Sequence, residues 1–103
     1  MIRIRRGRFA DLVDRQLDLF EADDAVLLGE ARSAEDVWKG AGRDETEEAF
    51  GDWQLIVDDV GERLLDLREA YAATLDDDAG AGYRQAFNRA AGSRFRGFTE
   101  LLQ

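Results

Sequence analysis

Phe50, Trp53, Val57, Val60, Leu64, Leu67, Tyr71 and Thr74 follow one another in steps of three and four, and only the last is polar. At about 100° per residue these positions form one stripe. Ile56 and Leu75 widen it, while Asp52, Asp59, Glu62, Asp66 and Glu69 lie on the opposite side. A helix with such a stripe must bury it, so this stretch constrains the fold more than any other. Asp44 and Glu47 have capping-box spacing, and Glu45 and Glu48 suit the positive end of a helix dipole. The reading is one helix over about 44–75, roughly 48 Å long at 1.5 Å per residue. That is longer than a compact domain of 103 residues is wide, so the helix must project or pack along an equally long neighbour.

The first third of the chain supplies one. Phe9, Leu12, Val13, Phe20 and Leu27 share a helical face, with Leu17 and Leu19 at its edges, and Asp23 and Asp24 interrupt it. Either the helix bends there or those carboxylates meet basic groups, for which the arginine-rich termini are the candidates. Ser33 with Asp36 repeats the capping spacing and suggests a fresh short helix ending near Gly40. After the central helix, Asp76, Asp77 and Asp78 would oppose the negative end of one helix but favour the positive end of the next. A break at 76–79 is therefore expected, with Asp78 as cap and a helix from Ala79 that turns Tyr83, Ala86, Phe87 and Ala90 inward. Gly92 is expected to end it, and Ser93 to open a last short helix carrying Phe95, Phe98 and Leu102. Residues 1–6 alternate Ile2 and Ile4 with arginine and suit a loose basic arm as well as a strand.

The expected fold is all-α, a single domain over 1–103. It is an antiparallel helical hairpin or small helical bundle, with a long central helix and short C-terminal helices folded across it. Its seam is Phe50, Trp53, Val57, Val60, Leu64, Leu67 and Tyr71, facing Phe9, Val13, Phe20 and Leu27. Gly61, which costs about 1 kcal/mol in mid-helix relative to alanine, permits a close crossing or a bend. Leu55 and Leu65 lie off the stripe and are expected to touch a second subunit or the C-terminal segment.

Composition limits the chemistry. There is no cysteine, histidine or proline. Thiol nucleophiles, imidazole bases, the serine–histidine–aspartate triad and ordinary zinc sites are therefore excluded. Asp59, Glu62 and Asp66 read as a solvated helix face, with Asp59 and Arg63 as an i,i+4 ion pair. Asp76–Gly80 lacks the ligand spacing of a calcium loop. No catalytic, cofactor or metal residue is assigned. Fourteen basic and 23 acidic residues give a net charge of −9. The sign is uneven: +4 over residues 1–8, −16 over 9–78 and +3 over 79–103. An acidic middle repels phosphate backbones and suits a basic protein. No apolar run approaches the length of a membrane span, and no apolar segment follows the basic start as in a secretory leader. The expectation is a cytoplasmic protein, with export by a leaderless route left open. Thirteen of the fourteen basic residues are arginine, as a GC-rich bacterial genome favours. The functional expectation is a non-enzymatic protein that acts by protein–protein interaction. Its partner is a second copy, forming a homodimer, or a basic or nucleic-acid-binding protein for which it is an acidic decoy.

Trp38-Lys39-Gly40 falls in the bend between the two long helical stretches. A W-x-G at that place is similar to the turn motif of the WXG100 (ESAT-6-like) proteins. The resemblance covers roughly residues 8–75. It implies a dimerising helical hairpin exported by type VII secretion, with Trp38 and Gly40 as the turn and the Phe50–Tyr71 stripe as the interface.

Overall fold

The central stripe forms one helix in the computed structural model, which describes residues 7–102. Helix α1 spans Ala10–Asp23, α2 Ala25–Gly40, α3 Thr46–Ala72 and α4 Asp77–Arg94, and a 3-10 turn covers Glu100–Leu102. No strand occurs among the described residues. The expected arm at residues 1–6 lies outside them.

Partner pairs give the topology. Along α2, Asp24 meets Arg63 and Trp38 meets Trp53 and Phe50, so α2 runs antiparallel to α3. Helices α1 and α2 follow one another with a break at Asp24, α2 lying along α3 and α1 along α4. The break and the ion pair are both real, and they are linked. Asp24 sits between the helices at φ −109°, ψ 28°, makes no side-chain cap, and accepts at Oδ1 from Arg63 at 2.9 Å. The partner is thus a central-helix arginine and not a terminal one, and Arg63 goes to Asp24 instead of pairing with Asp59.

Helix α4 lies along α1 and α3. It is parallel to α1, as Phe9 packs edge-on to Tyr83 and Phe20 edge-on to Phe95. It is antiparallel to α3, as Tyr71 packs on Tyr83 and Arg68 donates to Asn88. One end of the molecule is therefore a three-helix bundle, and the other is only the α2–α3 hairpin. Its principal extents are 53 × 36 × 23 Å. At about 1.5 Å per residue α3 alone spans ~40 Å of the long axis.

The core joins all these elements: Val13, Leu17 and Phe20 of α1, Leu28 and Ala31 of α2, Val57, Val60 and Leu64 of α3, and Tyr83, Phe87 and Ala91 of α4. Several expectations need correction. Helix α3 stops at Ala72, three residues early, and starts at Thr46, so the capping position falls to Glu45, which makes no side-chain bond, and not to Asp44. The cap of α4 is Asp76, whose carboxylate accepts from the Ala79 N–H at 2.8 Å. The first aspartate is thus the cap, and Asp77 and Asp78 fill the first turn. Gly92 does not end α4, which runs on to Arg94 as an 18-residue helix, not a short one. Ser33 starts nothing, because α2 is continuous across it. Phe95, Phe98 and Leu102 are buried as expected, but an irregular turn delivers them. Gly97, at φ 94°, takes a left-handed conformation that favours glycine and returns the chain to the core.

Candidate interaction surface

The seam serves the fold. Val57, Val60 and Leu64 are buried, and Trp53, Leu67 and Tyr71 are half-buried against the core. Phe50 is the exception at 40% exposed. It lies at the hairpin end, beyond α4, where only α2 can cover it. There Trp38 stacks on Trp53 with ring centroids 4.6 Å apart and planes 19° apart, and Phe50 tilts against both. The Trp53 indole N–H is buried there without a hydrogen-bond partner, a debt of about 1–3 kcal/mol set against the ring packing. Trp38 and Gly40 lie in the last turn of α2, just before the connection to α3. Helix α2 ends at Gly40, and the Ala41 N–H donates to the Trp38 carbonyl at 3.2 Å.

Polar side chains hold the other end together. Arg68 is the one buried charged residue among those described. It donates to Asn88 Oδ1 at 2.8 Å, to the Leu102 carbonyl at 2.7 Å and to Glu69 Oε2 at 3.1 Å. Glu69 also accepts from Arg84 at 2.9 Å. That bond, aided by Arg68, lowers the Glu69 pKa and raises that of Arg84. Arg94 of α4 faces Asp14, Asp18 and Glu21 of α1, donating to Asp18 at 2.6 Å. Tyr83 donates to Gln16 Oε1 at 2.7 Å, and burial pushes its hydroxyl up to about 12. These are structural ties between elements.

What remains open lies along one edge of α3. From Glu45, steps of three, four and seven reach Glu48, Asp52, Asp59, Arg63 and Asp66, which share that edge. Two clefts adjoin it. One, of about 190 Å³, is walled by Val37, Ala41 and Ala49 and rimmed by Glu45, Glu48 and Asp52. The other, of about 380 Å³, lies between α1 and α3 and combines Leu19, Phe20 and Leu67 with Asp23, Asp24, Asp66 and Arg63. Leu19 and Val37 are each 63% exposed, and Val26, three turns before Val37 on the same line of α2, is 77% exposed. No ion pair joins Glu45, Glu48 or Asp52 among the described residues.

Sequence reading missed this edge because its apolar members belong to three different helices. Val26 and Val37, eleven residues and so about three helical turns apart, were the available signal. Leu55, 69% exposed, shares the helical face of Glu48, Asp59 and Asp66 on α3, whereas Leu65 packs against the core. No group of three metal-ligating side chains occurs among the described residues, and no helix there is long and apolar enough to cross a membrane. Compared with protein-family models, with curated proteins and with solved structures, the chain has no significant match.

Proposed function

We propose that the chain is a non-enzymatic helical protein that acts in the cytoplasm by holding another protein against the open edge of α2 and α3. The observation that supports this most is the set of exposed aliphatic residues Leu19, Val26 and Val37, two of which line clefts. Exposed apolar groups concentrated beside concave surface are what a partner covers. The residue set adds support, since a chain without cysteine or histidine is poorly equipped for nucleophilic or proton-transfer chemistry.

Site-specific photo-crosslinking in the host tests the reading. A benzophenone side chain at position 37 is expected to give a discrete protein adduct that the same group at position 77, in the first turn of α4, does not give. Equal labelling at both positions, or none at either, overturns it.

The position of Trp38 and Gly40 at the hairpin bend favours a second reading, a leaderless secreted substrate like the WXG100 proteins. It predicts the protein in the medium of a host with an active type VII system, and Trp38→Ala or Gly40→Ala retaining it in the cell. Retention of the wild type in such a host contradicts it.

A further inference from the structure

We infer that the occupant of this edge is a basic amphipathic helix of another protein, an inference that rests on the interaction reading above. The two clefts supply the geometry. Asp52 rims one and Asp66 the other, and fourteen residues of helix separate them by roughly 21 Å. A straight helix of about four turns spans that distance. Its apolar stripe would cover Val26 and Val37 and enter the cleft beside Leu19, as helix-in-groove recognition requires.

Charge selects the class of partner. Among the described residues, the α3 edge and the adjoining clefts bring together Glu45, Glu48, Asp52, Asp59, Asp66, Asp23 and Asp24 against Arg63 alone. Arg63 is already committed to Asp24. Arginine or lysine flanking the partner's apolar stripe would place its stem on Val37, Ala41 and Ala49 and its charge among Glu45, Glu48 and Asp52. The same edge of a second copy would bring like charge to like, so the account commits to a different, basic protein. Phosphate-bearing ligands are repelled for the same reason.

The test uses the full chain and a synthetic peptide of about 18 residues, long enough to bridge both clefts. Its leucines fall at i, i+4, i+7 and i+11, with arginines flanking them, and the control is a scrambled peptide of the same composition. Binding is measured by calorimetry and mapped by amide shifts. The expected result is at least about tenfold tighter binding of the patterned peptide, a difference of ~1.4 kcal/mol. Amide shifts should centre on Leu19, Val26, Val37, Glu48, Asp52 and Asp66. The double variant Val26→Glu, Val37→Glu should lose that preference while its melting curve is unchanged. Glu48→Gln with Asp52→Asn should flatten the salt dependence. Equal binding of the two peptides, or shifts centred instead on Glu47, Gln54 and Asp58 across α3, overturns the inference. So do edge shifts that appear on concentrating the protein alone, since those would mean a second copy. A neutral or acidic protein crosslinked at position 37 would overturn the basic partner and leave the interaction reading standing.

Discussion

Arg68 shows how much of this fold depends on single polar side chains. Its guanidinium is nearly buried, and it satisfies Asn88 of α4 and the Leu102 carbonyl at once. Arg68→Ala would strand both acceptors, so a loss of about 2–4 kcal/mol in denaturant unfolding is expected, with amide protection lost first around Phe98–Leu102. A loss below about 0.5 kcal/mol would mean that the arginine contributes only its stem. Tyr83 makes a pH prediction. Its hydroxyl titrates at about 12 in the fold against about 10 when unfolded. The neutral phenol is thus favoured by folding, and that stability is intact below pH 10 and lost as pH rises toward 12. The loss is of order 2 kcal/mol, and Tyr83→Phe should remove this slope while costing about 1 kcal/mol at neutral pH. Glu69 works in the opposite direction. Its pKa is lowered by Arg84 and Arg68, so its contribution is present above the ordinary glutamate range and fades as acid protonates it. Tyr83 was legible as an inward residue, though not its bond to Gln16, and Arg68 did not announce its role at all. Arg68 lies within a helix stretch rich in charge, and only the return of a distant C-terminal segment buries it.

Among elements, the helices themselves were legible and their ends were not. The periodicity from Trp53 to Tyr71 dictates a helix whatever covers it. A cap depends on one backbone conformation, and any of Asp76, Asp77 or Asp78 has suitable chemistry. Asp76 alone adopts the extended φ −69°, ψ 171° that lets its carboxylate reach Ala79. Asp76→Ala should therefore cost about 1 kcal/mol in thermal or denaturant unfolding, and Asp78→Ala only a few tenths. The reverse order would restore Asp78 as the cap. Gly61 was legible as a place of close approach, and what approaches is the C-terminal turn. A Cβ there would stand 3.1 Å from Leu101 Cδ1 and 3.5 Å from the Phe98 carbonyl oxygen. Leu101 is 42% exposed and free to turn aside, so the helix-propensity gain of alanine should prevail. Gly61→Ala is expected to stabilise by about 0.5 kcal/mol, whereas Gly61→Leu has no room and should cost about 1–3 kcal/mol. Destabilisation by alanine as large as that by leucine would mean the turn is locked against α3.

At the scale of the molecule, a kinked α1–α2 run, a long α3 and a parallel α4 divide the chain into a covered end and a sparse one. The all-α hairpin could be read from the sequence because two long amphipathic faces have few ways to bury each other. The acidic middle was also legible, but its arrangement was not. Arg94 neutralises part of it on α1, leaving the carboxylates of α3 beside exposed Leu19, Val26 and Val37. The stripe reads as a seam against the chain's own first helices, and Val57, Val60 and Leu64 are buried in the core there. The exposed apolar residues lie on the neighbouring edge, which is the candidate contact. Hydroxyl-radical footprinting of the free protein tests this division most directly, because it reports side-chain exposure residue by residue in one experiment. The account predicts rapid oxidation of Leu19, Val26 and Val37 and strong protection of Val57, Val60, Leu64 and Phe87. Protection of Val26 and Val37, or ready oxidation of Leu64, would contradict it.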